Sequence, residues 1–373
     1  MHLGVMTHYI KGSKYPVGGS GAIPRKMNAV ILAAGGRSFV QAPVDGLIYA
    51  KGRAGQPKCV GVRVKGVDVR ARIVVSGIGA ARSYSLIGQQ IPSIAKPALA
   101  NIAAATELSV AFIFLFLGLD VTDIAPSDED ERSHNTWIYP ERDYTAMEKR
   151  IEGGSTSTPW AQPMPMFVAS GSAKDRAWAA THPGKKTIVV LSQCPWAWCK
   201  EWATLSHAER EKSATYQAFK DAAKATMMEQ GFRKVFPKLE KYITHSTIGT
   251  PLSTNNFLAT EEGECYGLAA TPKRWMVNEL SPHTPIENLC VLRLASPPPA
   301  FERVLVPGVR LTPHPSTHTH RYLTGQDTLA LGLSSSLQSG YLTANVLMGY
   351  GAPENVLLKR DIIVDLGLPP IFG

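Results

Sequence analysis

Along residues 16–75 the spacing of apolar positions changes from helical to strand-like. Ile23, Met27, Val30, Ile31 and Ala34 recur at helical spacing. They follow a loop carrying Gly18, Gly19 and Gly21, with Pro24 near the helix start, where its missing N–H costs nothing. Gly35 and Gly36 stop that helix as left-handed cap positions. A strand is then expected ahead of Val44, and the period falls to two. Residues 44–50, a turn at 52–57, residues 59–64 with Val60, Val62 and Val64 alternating, and residues 67–75 predict a β-meander. Its last apolar stretch, residues 73–76, re-enters a buried sheet before the turn Gly77-Ile78-Gly79.

The longest apolar run, residues 108–119, is about a dozen residues, below the ~18 to 20 that a spanning helix needs. Its aromatic and β-branched content predicts a buried strand. From 101 to 285 the chain turns aromatic and amphipathic and holds all seven tryptophans, which marks a second domain. Ser206 and Glu209 form a capping box for a helix lined by Tyr216, Phe219, Ala223, Met227 and Met228, with Gly231 as its end or kink. Residues 128–132 are a charge run and read as a solvated loop. Residues 290–321 crowd six prolines into a stretch with no sustained period, and read as a long disordered insertion.

Near the C-terminus an apolar strand, Tyr322-Leu323-Thr324, runs into Gly325-Gln326-Asp327, with Gly332, Leu333 and three serines from Ser334 opening a helix behind it. A carboxylate and free backbone N–H groups held together suit a ribityl chain and a pyrophosphate. The other half of such a flavin site, a strand followed by Gly-x-Gly-x-x-Gly, a helix and a later acidic residue, is found nowhere in the 373 residues. The chain reads as an incomplete flavoprotein.

Composition narrows this reading only a little. A net charge of +9 and a pI near 9.2 invite nucleic acid, but the basic residues are scattered, so the reading is no nucleic acid. Five irregularly spaced cysteines imply neither a disulfide framework nor a zinc site. His314, His318 and His320 match no standard ligand spacing, so no metal is expected. The first ten residues lack the features of a signal peptide.

Taken in order, several stretches resemble the all-trans-retinol 13,14-reductase (retinol saturase) family, within the wider group of carotenoid isomerases and phytoene desaturases. They are His8-Tyr9, Tyr15-Pro16-Val17-Gly18-Gly19, Val74-Val75-Ser76-Gly77, Ser172-Ala173-Lys174-Asp175 with Trp178, Thr250-Pro251-Leu252 with Asn256, Gly263 with Cys265-Tyr266-Gly267, and the Tyr322 to Asp327 strand and turn. The resemblance starts inside the family's domain, so the amino-terminal part with the dinucleotide fingerprint is expected to be missing. In the family the segment matching residues 286–289 runs almost directly into the Tyr-Leu-Thr-Gly-Gln-Asp strand, which makes 290–321 an insertion.

The resemblance implies an α/β plus α+β protein: an incomplete FAD-binding, glutathione-reductase-like domain from residues 1–100 and 322–373, and a mixed-sheet substrate domain from 101–289. It implies FAD as cofactor, with NAD or NADP a possible electron source. Gly18, Gly19, Val44, Ser76, Gly325, Asp327, Gly332, Leu333 and Ser334 would be cofactor-binding, Val44 through its backbone after a preceding strand. Catalytic residues stay open, with Cys265 and Tyr266 as possible proton donors. The activity implied is saturation of a carbon–carbon double bond in a retinoid, the apolar substrate lying among Phe112, Phe114, Phe116, Trp137, Trp196, Trp198 and Phe257, or packed core at those same positions. Endoplasmic reticulum membrane association comes from the family alone. Two alternatives stand beside it: a carotenoid isomerase or desaturase, and a non-catalytic truncated product unable to bind FAD, with residues 73–76 and 322–324 exposed as unpaired edges.

Overall fold

A computed structural model describes residues 12–52, 55–130, 132–154, 159–280, 284–287, 289–290 and 340. Gly325, Asp327, Gly332, Leu333 and Ser334 lie outside them, as do the Tyr322 strand and all but the first residue of the 290–321 stretch. In chain order the strands are β1 (Val44–Lys51), β2 (Pro57–Val64), β3 (Val67–Arg70), β4 (Val74–Val75), β5 (Phe112–Asp120), β6 (Thr136–Ile138), β7 (Met166–Ser170), β8 (Lys185–Gln193), β9 (Ile243–Gly249) and β10 (Leu289–Cys290). The α-helices are α1 (Ala22–Ala33), α2 (Ala80–Gly88), α3 (Pro92–Ala105), α4 (Tyr144–Glu152), α5 (Trp178–Thr181), α6 (His207–Lys212), α7 (Ala214–Met227), α8 (Arg233–Val235) and α9 (Pro251–Leu258).

The described residues up to Val40 and Val110–Cys265 make one compact unit; Gln41–Ser109 and the residues from Tyr266 onward make another. The sequence-based boundary at 100/101 falls inside α3, which is continuous from Pro92 to Ala105.

The first unit is built on an antiparallel sheet of order β6-β7-β8-β5-β9. The apolar run becomes its central pairing: β5 lies against β8 from Phe112 opposite Gln193 to Asp120 opposite Lys185. Successive strand residues point to opposite faces, so Ile113, Leu115, Leu117 and Leu119 share one face and are buried. That face meets Tyr216, Phe219, Ala223 and Met227 in one apolar core. Each leucine, isoleucine, phenylalanine or methionine side chain among them contributes about 1.5–3 kcal/mol when fully buried.

The capping box forms as predicted: Ser206 Oγ accepts from Glu209 N–H at 3.3 Å, and Glu209 Oε2 accepts from Ser206 N–H at 2.8 Å. The single helix expected behind it does not. It breaks at Ser213, which takes an extended conformation and caps α7 by accepting from Tyr216 N–H. Of the end or kink expected at Gly231 the structure shows the second: the residue sits inside a π-helical turn, Met228–Phe232, between α7 and α8. Nor is Asp128 a solvated loop residue: its carboxylate accepts from Lys241 Nζ (2.8 Å) and the Tyr242 hydroxyl (3.1 Å).

The second unit holds the meander, with β1-β2-β3 antiparallel in sequence order. Val74 and Val75 pair in parallel with Leu289 and Cys290. One side of residues 74–75 is thus paired, while among the described residues no strand pairs with the other side, which stays the edge that was expected. The strand expected before Val44 is also absent; residues 37–43 are irregular and Val44 itself opens β1. Tyr84 and Ile87 from α2, Ile102 from α3, and Leu47, Cys59 and Ile286 form this unit's core.

Candidate functional site

The second face of the five-stranded sheet is apolar and, among the described residues, only partly covered. Phe112, Phe114 and Phe116 of β5 share it with Val189 and Leu191 of β8 and Phe167 of β7; most are half-buried, and Phe116 is 48% exposed. Direct cross-strand pairing sets Trp137, Phe167, Leu191, Phe114 and Gly249 in one row across the strands. With strands 4.7–4.9 Å apart, the row spans roughly 19 Å. Trp137, 59% exposed, meets Phe167 edge to face at 4.7 Å and stacks on Tyr139, while Phe114 and Phe116 stack at 5.8 Å. Between Phe112 and Gly118 on β5, and Thr187 and Gln193 on β8, this face carries no charged side chain. Its charges lie at the far end, where Lys185 and Asp120 pair at 2.5 Å. An uncharged, aromatic, partly exposed strip of this length can hold a flat, extended apolar molecule.

The structure sorts the aromatic residues proposed for such a pocket. Phe112, Phe114, Phe116 and Trp137 lie on this face. Trp198 belongs to the core of the first unit, Trp196 packs against that core, and Phe257 stands exposed near the end of α9. Burial overrode the pocket reading for the two tryptophans.

At one end of the face, residues from distant parts of the chain meet. Pro16 to Gly19 form a turn closed by Gly19 N–H to the Pro16 carbonyl (3.0 Å), with Gly18 at φ +84° as the third position of such turns demands. The Gly18 N–H donates to Asp175 Oδ2 at 2.9 Å, and Asp175 Oδ1 accepts from Ala177 N–H at 3.0 Å. A Cβ on Gly171 would lie 3.3 Å from the Tyr15 hydroxyl and 3.6 Å from Thr187 Oγ1, so Tyr15 reaches the same end of the sheet. The Ser172-Ala173-Lys174-Asp175 stretch is itself a hydrogen-bonded turn: Ser172 Oγ accepts from Thr187 N–H, Ser170 Oγ accepts from Ala173 N–H, and Lys174 Nζ donates to the Ser170 carbonyl. Burial lowers the pKa of the Lys174 ammonium. Sequence reasoning noted both stretches without joining them; nothing in the local pattern signals a contact across 157 positions.

Val44 and Ser76 belong to the other unit. Val44 pairs with Val64 at the start of β1. Ser76 Oγ shares a 2.6 Å hydrogen bond with Ser83 Oγ, which donates to the Gly79 carbonyl at the start of α2. Cys265 is half-buried, and burial pushes its thiol pKa up, while Tyr266 is 38% exposed. Among the described residues no cluster of His, Cys, Asp and Glu could hold a metal; the three C-terminal histidines lie outside them. A surface cleft of about 430 Å³ in the first unit is lined by Leu117, Met228 and the charged Asp221, Lys224, Arg233 and Glu240, a composition that does not suit an apolar molecule.

No family model matches the chain. The all-trans-retinol 13,14-reductase of Danio rerio is 27% identical over 356 residues, covering 93% of this chain and 51% of that protein. The chloroplastic prolycopene isomerase of Arabidopsis thaliana is 24% identical over 259 residues, covering 69% of this chain and 37% of that protein. A crystal structure of an oxidoreductase from Methanosarcina mazei superposes with a TM-score of 0.44 at 15% identity, over 74% of this chain and 49% of that one. Along nearly all of its length the chain is similar to all-trans-retinol 13,14-reductases, and it spans about half the length of those relatives.

Proposed function

We propose that the chain serves an FAD-dependent oxidoreductase that saturates a carbon–carbon double bond of a retinoid, with the aromatic sheet face as the surface on which the polyene lies. The observation that carries this reading is the uncharged row from Trp137 to Gly249. It supplies flat π-surfaces and no charged side chain, as a conjugated hydrocarbon chain requires. Those aromatic residues would hold the chain extended and displace water along its length. The loop carrying Tyr15 and Gly19, fastened by Asp175, would bound one end.

For the cofactor, the described residues offer a partial fit. The stretch from Ser76 to Gly79 follows a parallel strand and leads into the N-terminus of α2, with Gly79 at the cap position. That arrangement suits a ribose or phosphate. Gly18 and Gly19, by contrast, spend their N–H groups on Asp175 and Pro16, so they would approach a flavin through their small size rather than as donors. FAD, once reduced, supplies the hydride for saturation of a double bond. Endoplasmic reticulum membrane association belongs to the same reading; no helix among the described residues is long and apolar enough to cross a membrane.

A carotenoid isomerase is the second reading, favoured by the similarity to a prolycopene isomerase. Product mass separates the two. The chain alone is expected to be inactive, so the test joins it to the strand, Gly-x-Gly-x-x-Gly turn and helix that its 373 residues lack; that protein, incubated with FAD, dithionite and all-trans-retinol, is expected to yield a product heavier by two hydrogens. An isomer of unchanged mass supports the second reading, and unchanged substrate contradicts both.

A further inference from the structure

We infer that Gln193 is a hydroxyl-recognising residue of the aromatic face, with its side-chain oxygen accepting from a terminal alcohol of the bound polyene; this rests on the retinoid reading. Gln193 ends β8 directly opposite Phe112 and shares a face with Val189 and Leu191. Its Nε2 donates to Glu148 Oε1, on α4, at 2.7 Å. A carboxylate can only accept at that contact, so the amide nitrogen faces Glu148 and the oxygen faces the other way. That oxygen is shut off from solvent and has no hydrogen-bond partner among the described residues.

A buried acceptor without a donor is destabilising, and a ligand hydroxyl would supply the missing donor. Gln193 as a whole is only half-buried, as is Phe112 opposite it, so the residue stands at the margin of the aromatic face. Rotation of an aromatic ring would admit an alcohol there. Beyond this amide Leu191 and Val189 of β8 and Phe112, Phe114 and Phe116 of β5 are apolar, so a polyene anchored at Gln193 would run along these two strands rather than across them. A pure hydrocarbon would leave the oxygen unpaired, which makes Gln193 a discriminator between a retinoid alcohol and an unfunctionalised carotene.

The test uses the full chain and two probes of equal conjugation, all-trans-retinol and its methyl ether, which lacks the donor. Binding is read by quenching of tryptophan fluorescence. The wild type is expected to bind the alcohol roughly three- to tenfold more tightly than the ether, as one recovered hydrogen bond implies. Gln193→Met should remove that preference while leaving the ether's affinity unchanged. Glu148→Leu, which frees the amide to turn, should reduce the preference and provides a second variant should the first fail to fold. A wild type that binds both probes equally, or a Gln193→Met chain that keeps the preference, overturns the role of Gln193 and leaves the retinoid reading standing. A wild type that binds neither probe removes the retinoid reading and this inference with it.

Discussion

The backbone N–H of Gly18 donates to the carboxylate of Asp175 at 2.9 Å, across 157 positions of sequence. Asp175 is 8% exposed and also accepts from Ala177 N–H, so one nearly buried side chain fastens the glycine loop to the turn after β7. Removing it leaves the Gly18 N–H without its acceptor. Hydrogen bonds to a charged group contribute about 1.5–3 kcal/mol, so Asp175→Ala should destabilise the chain by about that amount, while Asp175→Asn, which keeps one acceptor, should cost less. Urea unfolding measures both, and faster proteolysis within residues 12–33 of the alanine variant would locate the loosened segment. Equal stability of Asp175→Ala and wild type would show that the contact holds nothing in place.

Gly263 and Pro251 join two other stretches that the sequence presented separately. Gly263 has φ +69°, and a Cβ there would lie 2.5 Å from the Pro251 carbonyl oxygen and 2.6 Å from its Cβ, at the first residue of α9. Left-handed backbone costs about 1–2 kcal/mol outside glycine, and overpacking adds about 1–3 kcal/mol. Gly66 shares the first cost alone, with φ +79° and open space around it. Gly263→Ala should therefore destabilise clearly more than Gly66→Ala. Thermal unfolding of the two variants makes the comparison, and equal losses would contradict the close packing on Pro251.

The Asp120 carboxyl is held down to about 2, first by the hydrogen bond from Lys185 and then by those from Thr122. An unfolded aspartate titrates near ~3.9. A carboxyl depressed by folding contributes stability that is fully present above the unfolded value and is lost as pH falls through the folded one. The difference in unfolding midpoint between wild type and Asp120→Asn should thus be full at neutral pH, narrow below about 4 and vanish only below about 2. A difference that stays constant over that range would mean Asp120 has no favourable partner in the folded chain.

Much of this architecture can be read from periodicity. The alternation in residues 59–64 became β2, the apolar run became β5, and Ser206 with Glu209 made the capping box. Two features of the run were not legible. Ile113 and Phe114 are equally apolar, and only the packing of α7 decides that the first lies in the core while the second faces outward. Ser213 interrupts the long helix by capping the next one, a competition between side chain and backbone that an amphipathic pattern hides. The candidate site was half visible. Phe112, Phe114, Phe116 and Trp137 were named from aromatic content, but Gln193 and the Gly18–Asp175 contact depend on register and long-range contact, which no local window contains.

The central claim is that the aromatic face binds a polyene, and titration of the full chain with all-trans-retinol, followed by tryptophan quenching, tests it most directly. Phe116 and Trp137 are both about half exposed, so Phe116→Asp and Trp137→Ala should leave the fold intact. The account predicts saturable quenching in the wild type and at least roughly tenfold weaker binding when Phe116→Asp places a charge on the face. Binding that is unchanged in both variants would contradict it.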